Sequence, residues 1–335
     1  MPHLVLLRST LKRGAIVAAA NWPVVAIQFV AESTFKLLLG VPIVGGAVLV
    51  ALALGRDLRT LLAGDLRDTV TDVVGALVGQ PGALAAFVVA VLIVLAGGSA
   101  LMFLVKGGTV TVLAAGDAAA GTIEHPPVRL AAVARAGQYS VDRFLLGAST
   151  LFRRYLRLGL VLFAVYLVSG AAYLAVVFGS HSLVGSTAGT LGWTVVAAVS
   201  SSALLVWITI VNLVYLLLQM IVAIEDCSVR QAVRRLGRFL RARLREVFLV
   251  FVVVLALAVV AAAASLLATT GLSLISFIPL IGLAVFPLQA AAWLVRGLVF
   301  QYLGLTALGA YVSQYRGSGR AGREANAPAL LGTAS

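Results

Sequence analysis

The chain has 335 residues, of which 61% are hydrophobic and 11% charged, and its formal net charge is +13. A water-soluble globular protein needs a polar exterior that this composition does not supply, so the composition predicts an integral membrane protein. The basic residues border apolar segments instead of forming a hydrophilic domain, which argues against a nucleic-acid-binding protein.

Long continuous apolar runs predict an all-α, polytopic protein, because a transmembrane barrel would show short alternating segments. A helix needs about 20 apolar residues to cross a hydrocarbon core of roughly 30 Å, and six runs reach that length. They are residues 22–53, 82–105, 158–180, 190–222, 247–268 and 284–312. The N-terminal apolar stretch that follows Arg8, Lys12 and Arg13 lacks a convincing cleavage site, so we expect it to be retained.

The first run carries two charges at a depth where a membrane helix normally has none. Counting from Trp22, Glu32 and Lys36 lie roughly 15 and 21 Å along the helix. Asn212 in the fourth run and Arg296 in the sixth fall at overlapping depths. A lone charge at the bilayer centre costs at least ~2.5 kcal/mol, so we predict that these four residues form one buried polar layer in the helix bundle.

Two interpretations of this polar layer stay open. In the first, Glu32 and Lys36 neutralise each other across one helical turn, while Arg296 snorkels or pairs with Glu32 and holds the first helix against the last. In the second, Arg296 or Lys36 binds an anionic headgroup or solute and Glu32 orients it.

Basic residues are concentrated on one side of the predicted crossings. The segments 106–157 and 225–246 and the two chain ends hold most of them, whereas the segment 56–81 is rich in aspartate. The positive-inside rule therefore predicts that both termini are cytoplasmic, in a multi-pass protein of the cell (inner, cytoplasmic) membrane. Residues 1–316 would form the six-helix domain, and 317–335 a disordered cytoplasmic tail.

A basic stretch with interspersed leucines and aromatics precedes each odd-numbered crossing. This order predicts three transmembrane hairpins, each preceded by a basic interfacial helix. Each arginine near an anionic leaflet contributes about 1 kcal/mol, so we predict that the clustered arginines contact anionic headgroups. The predicted contacts are Arg153, Arg154, Arg157, Arg234, Arg235, Arg238, Arg241, Arg243 and Arg245.

The sequence MIVAIEDCSVRQAVRRLGRFLRARLREVF joins the fourth run to the fifth through an acidic pair, a short turn and a basic helix. This arrangement resembles the membrane domain of glycerophosphodiester phosphodiesterase-like proteins, a mostly uncharacterised polytopic family with the same plan of six helices. The resemblance implies the membrane fold and not the enzymatic activity. That activity belongs to a separate soluble catalytic domain, which no segment of this chain fits.

Residues able to carry chemistry are scattered along the chain. His3, His125 and His181 lie in separate segments and form no spaced metal-ligand pair, so we expect no metal ion and no cofactor. Cys227 is the only cysteine, which excludes an intramolecular disulfide and predicts a buried or interfacial thiol. No acid, base and nucleophile converge, so we expect the protein not to be an enzyme, and an intramembrane enzyme ranks last among the possible functions.

The sequence favours a non-enzymatic, lipid-interacting membrane protein or an assembly (scaffold) component. Membrane lipids with anionic headgroups on the cytoplasmic side are the expected partners, and nucleic acid is not. The alternative is a permease-like transport subunit that moves a lipid or anionic solute through the polar layer. An ATP-driven role would need a separate subunit, so another membrane subunit or an ATPase subunit is a further candidate partner.

Overall fold

The structure, a computed structural model of the chain, describes residues 2–54, 79, 81–123, 130–182, 187–276 and 281–331. Within these residues the fold is all-α, without β-strands. The helices are α1 (Pro2–Ala20), α2 (Trp22–Leu54), α3 (Pro81–Ala119), α4 (Leu130–Ala136), α5 (Val141–Ser182), α6 (Thr187–Glu225), α7 (Val229–Ser276) and α8 (Ile281–Leu331). The predicted all-helical class is confirmed.

Six of these helices are long and apolar enough to cross a membrane. Their candidate spans are Trp22–Gly46, Leu84–Ala119, Val141–Gly179, Gly192–Glu225, Val229–Ser273 and Val285–Ser318. Each predicted crossing falls on one of these six helices. Large apolar side chains such as Leu160, Val206 and Val260 are exposed along them, as expected when the surrounding solvent is lipid.

The first predicted crossing begins where α1 ends, at Asn21, whose side chain is fully buried. Its Nδ2 donates to the carbonyl oxygens of Val17 (2.9 Å) and Ala136 (2.8 Å), and its Oδ1 accepts from the backbone N–H of Gln138 (2.8 Å). Carbonyl groups at a helix C-terminus lack intrahelical donors, so this amide satisfies the ends of both α1 and α4. Asn21 therefore both interrupts the helix and holds α4 against it.

A second interruption separates the basic part of α7 from its apolar part. Arg243 has non-helical backbone angles (φ −139°, ψ 28°), and the helix bends there. Its guanidinium donates to the Glu246 carboxylate at 2.7 Å. By contrast, α5 carries its basic stretch and its apolar stretch in one uninterrupted helix, which begins after the capping residue Ser140.

Two helices extend further than hydropathy predicted. Hydropathy ends the second crossing at residue 105, but α3 continues to Ala119, because Val110, Val112 and Leu113 are buried against neighbouring helices. The sequence placed a disordered tail after residue 316, whereas α8 runs on as a helix to Leu331. Extending an existing helix is easier than nucleating one, which accounts for this difference.

The chain divides into two compact units, residues 1–26 with 106–335, and residues 27–105. In the smaller unit, α2 and α3 contact through glycines: the Phe87 ring covers Gly46, and the Phe35 ring covers Gly98. In the larger unit, α8 packs against α1 and α7, and α6 packs against α5 and α7. The predicted boundary between residues 316 and 317 stays a prediction.

Candidate functional site

The two charged residues of α2, Glu32 and Lys36, form an ion pair with each other within that helix. The Nζ of Lys36 lies 2.6 Å from Oε1 of Glu32, one turn away, with the Lys36 side chain 67% exposed and that of Glu32 31% exposed. Paired opposite charges remove much of the cost of placing either charge in hydrocarbon. The geometry is the one expected from mutual neutralisation.

Asn212 belongs to a series of polar contacts between α5 and α6. Its Oδ1 accepts from the hydroxyl of Tyr166 at 2.6 Å. Further along, the Trp207 indole N–H donates to Ser169 at 2.9 Å, and the hydroxyls of Tyr173 and Ser201 lie 2.9 Å apart. Interhelical hydrogen bonds of this kind contribute on average about 0.6 kcal/mol each in a membrane protein. These contacts join α5 and α6 as an antiparallel pair.

Only Asn212 of these residues was singled out from the sequence. The signal for the others was the spacing of Tyr166, Ser169 and Tyr173, which places three polar side chains on one face of α5. The spacing alone does not predict contacts with α6, because a serine hydroxyl can also bond a carbonyl oxygen within its own helix. The interhelical contacts become evident only when α6 is known to lie opposite this face.

Arg296 lies in a groove of about 430 Å³ between α7 and α8. The opposing wall is formed by small side chains of α7, including Ala261, Ala264 and Ala268. The guanidinium stacks 5.8 Å from the centre of the Phe300 ring, and within the described part of the chain it forms no ion pair. The ring face stabilises the guanidinium charge through a cation–π contact.

The four members of the predicted polar layer are divided between the two units. Glu32 and Lys36 belong to the smaller unit, and Asn212 and Arg296 to the larger one. The pair, the amide and the arginine each have local contacts as described above. A single layer that joins all four stays a prediction.

Among the described residues of the larger unit, the most buried charged residue is Asp117, in the last turn of α3, with 4% of its surface exposed. Arg13 of α1 donates its Nε to Oδ1 of Asp117 at 2.6 Å, and Arg316 of α8 approaches Oδ2 at 3.4 Å. The same guanidinium groups also bond carbonyl oxygens at the end of α3: Arg13 those of Asp117 and Gly121, and Arg316 that of Ala114. We call these three side chains the Asp117 cluster.

The Asp117 cluster is explained by the electrostatics of a helix end. A carboxylate near a helix C-terminus is unfavourable, because the carbonyl groups there carry partial negative charge. Two guanidinium groups compensate both the carboxylate and the carbonyls. The first and last helices of the chain are thereby fixed to the end of α3.

A second group of charges surrounds the acidic pair after α6. Glu225 pairs with Arg235 and accepts from the hydroxyl of Tyr315 at 2.9 Å, and Asp226 pairs with Arg154. Asp226 has a positive φ of 45°, the left-handed conformation that ends helices and that Asp tolerates better than most residues. The acidic pair therefore forms the α6–α7 turn and joins it to α5 and α8.

Cys227 follows this turn and is buried, with 5% of its surface exposed. The prediction of a buried thiol is confirmed. Burial raises the pKa of the thiol; the guanidinium of Arg235 opposes this shift and the carboxylate of Glu225 adds to it. A raised pKa keeps the sulfur in its unreactive, protonated form at neutral pH.

The nine arginines predicted to contact lipid fall into two groups. Arg154, Arg235 and Arg243 are paired with carboxylates of the chain itself. The other six are exposed and form no ion pair within the described ranges: Arg153, Arg157, Arg234, Arg238, Arg241 and Arg245. These six guanidinium groups are accessible to ligands.

In the first part of α7 the exposed arginines share one side of the helix. Arg234, Arg238 and Arg241 recur at spacings of four and three residues, which places them on one face. On the opposite face, Ala232, Leu236 and Phe239 are buried. The exposed cations, which we call the arginine face, therefore point away from the protein core. Val233, 52% exposed, forms an apolar edge between the two faces.

Across the described ranges, no three His, Cys, Asp or Glu side chains lie close enough together to hold a metal ion. The side chains of His3, His125 and His181 lie outside the described residues. The structure brings together arginine, carboxylate and tyrosine side chains instead.

The chain matches no protein-family model, no curated protein and no solved structure. The resemblance to the membrane domain of glycerophosphodiester phosphodiesterase-like proteins stays a prediction. It rests on the acidic pair and the basic helix that follow α6.

Proposed function

We propose that the protein is a non-enzymatic component of the cell (cytoplasmic) membrane that binds anionic phospholipids with its arginine face and serves as a lipid-interacting or assembly element. The observation that carries this proposal is the arginine face itself: cations on one side of the basic part of α7, opposite a buried apolar side. A helix with a cationic face and an apolar edge suits the membrane interface.

The proposed topology places three hairpins in the bilayer, each preceded by basic sequence, with both termini in the cytoplasm. Two interruptions support it, at Asn21 and at Arg243, because each separates a basic helical segment from an apolar one. The interruption lets the basic segment take a direction different from that of the apolar segment. The cations then lie at the anionic cytoplasmic surface.

The lipid preference can be measured by reconstituting the full chain in nanodiscs that contain phosphatidylglycerol and phosphatidylcholine. We expect phosphatidylglycerol to be enriched around the wild-type protein. In the variant Arg234→Gln/Arg238→Gln/Arg241→Gln, enrichment should fall, because each interfacial arginine contributes about 1 kcal/mol.

The matched control is Arg56→Gln/Arg59→Gln/Arg67→Gln, which removes the same charge from the segment predicted to lie on the opposite side. This control should keep the wild-type enrichment. Equal loss in the two triple variants would show that net charge, and not the arginine face, determines the lipid preference.

A transport role is a second candidate, supported by the groove that contains Arg296. A cation in an apolar span, which contacts an aromatic ring and forms no ion pair among the described residues, favours an anionic ligand. Arg296→Gln should abolish ligand binding or flux in a protein that still folds, if the groove is a transport site. A variant with unchanged flux of anionic solutes and lipids would rule this role out.

A further inference from the structure

A second groove, of about 550 Å³, lies between α1, α7 and α8 in the larger unit. We propose that it holds one anionic phospholipid, with the headgroup at Arg8 and an acyl chain against α7 and α8. This inference rests on the proposed function and goes beyond it, because it assigns a single, stoichiometric site separate from the arginine face.

Two cationic residues are among those that line the groove. Arg8 and Lys12, one turn apart on α1, line it, and Arg8 is exposed. Arg8 has no ion-pair partner in the parts of the chain that the structure describes. An arginine in this state presents a planar set of donors that matches a phosphate group.

The walls of the groove are apolar and belong to membrane-spanning helices. Val253, Val254 and Leu257 of α7 form one side. Val254 lies roughly 16 Å along α7 from the interruption at Arg243, so the groove extends into the apolar part of the span. A site that combines cationic residues with hydrocarbon walls matches the charged headgroup and apolar chains of an anionic phospholipid.

The two helices α1 and α8, which line the groove, are bonded directly to each other. The hydroxyl of Tyr302, which lines the groove, donates to the carbonyl oxygen of Ala15 at 3.1 Å and ties α8 to α1. Beside this bond, Gly14 and Gly309 bring the two helix backbones into direct contact. The groove therefore lies between helices that are held together independently of any lipid, and it is formed before a lipid binds.

The test uses the full chain, stripped of lipid in detergent and titrated with phosphatidylglycerol or phosphatidylcholine, with bound lipids counted by native mass spectrometry. We expect one phosphatidylglycerol to be retained with saturable affinity and phosphatidylcholine to bind more weakly. Arg8→Gln should weaken retention by about fivefold, the value of one interfacial cation. Arg59→Gln, which removes the same charge from the predicted opposite side, should have no effect.

A second pair of variants tests the apolar wall. Val254→Trp fills the groove and should abolish the stoichiometric lipid, whereas Val260→Trp, on an exposed position of the same helix outside the groove, should retain it. Because Arg8 is exposed, Arg8→Gln keeps the proposal testable even if Val254→Trp does not fold. Unchanged retention in Arg8→Gln, or in folded Val254→Trp, would overturn the proposal, as would equal retention of phosphatidylcholine.

Failure of this proposal and failure of the proposed function have different signatures. If only the triple variant of the arginine face loses lipid enrichment, the groove is not a lipid site and the proposed function stands. If Arg8→Gln loses the single lipid while the triple variant keeps its enrichment, the groove site stands and the arginine face does not bind lipid.

Discussion

Asp117 shows how a buried charge is tolerated in a membrane protein. Its carboxylate is 4% exposed and receives two guanidinium groups, from Arg13 and Arg316. Both arginines also bond backbone carbonyl oxygens, so no partner in the cluster makes only one contact. Removing the carboxylate charge would therefore leave the partly buried guanidinium groups of Arg13 and Arg316 without the negative charge that they share.

We expect Asp117→Asn to lower the free energy of unfolding by about 1–3 kcal/mol, because a charge-assisted bond is lost in a buried setting. The measurement is thermal unfolding in detergent micelles. Asp226→Asn is the control: its ion pair is exposed and worth about 0–1 kcal/mol, and Asn accepts the same backbone conformation. Equal effects of the two substitutions would show that Asp117 is not a stabilising centre.

Cys227 provides a pH-dependent test at the same scale. Burial raises the pKa of its thiol in the folded protein, so the neutral form is favoured by folding. The associated stability is present below the unfolded-state pKa and is lost as pH rises through the folded-state pKa. Alkylation of Cys227 by maleimide should be slow at pH 7.5. The control is an exposed thiol, Ala242→Cys in a Cys227→Ala background. The alkylation rate of Cys227 should rise at a higher pH than the rate of this control thiol. Similar rates for the two thiols would contradict the buried position.

At the scale of elements, the packing of α1 against α8 depends on glycine. A Cβ atom at Gly14 would lie 2.4 Å from the carbonyl oxygen of Thr306 and 2.7 Å from the backbone nitrogen of Ala310. Neither backbone atom can rotate away as a side chain can, so a methyl group would have to separate the helices. Close approach through small residues is the main source of helix association in membranes.

Gly14→Ala should therefore destabilise the protein by about 1–3 kcal/mol, the usual cost of overpacking. Gly304→Ala, in α8 with no atom within 4 Å of the added Cβ, should be neutral or stabilising by up to about 1 kcal/mol, because Ala favours the helix. Unfolding midpoints of the two variants in the same detergent decide between them. A neutral Gly14→Ala would mean that α1 and α8 do not approach this closely.

At the scale of the whole molecule, buried side chains and exposed apolar side chains occupy different parts of the long helices. Fully buried side chains such as Tyr155, Met220 and Tyr311 lie near the basic ends of the spans, where the ion-pair clusters are found. The apolar spans expose large side chains. Packing and ion pairs therefore hold one end of the larger unit together, and the remainder is arranged for contact with lipid.

The proposed orientation can be tested by cysteine labelling in a Cys227→Ala background. Ala242→Cys, in the basic part of α7, should be protected from a membrane-impermeant maleimide in intact cells and should react after permeabilisation. Asp65→Cys, between the first two crossings, should react in intact cells. The reverse pattern would place the arginine face outside the cell and invalidate the proposed lipid contacts.

Amino-acid sequence by itself determined the class of the protein and the six long apolar helices, because hydropathy is a local property that adds along a helix. It also revealed the spacing of the arginines on α7. Tertiary structure alone decided which charges pair across long sequence separations: Arg13 meets Asp117 from 104 residues away, and Arg316 meets it from 199. It likewise decided that α3 continues to Ala119, since packing against other helices, and not hydropathy, stabilises its last turns. Partner choice depends on which helix ends the fold brings together, and no local pattern encodes that.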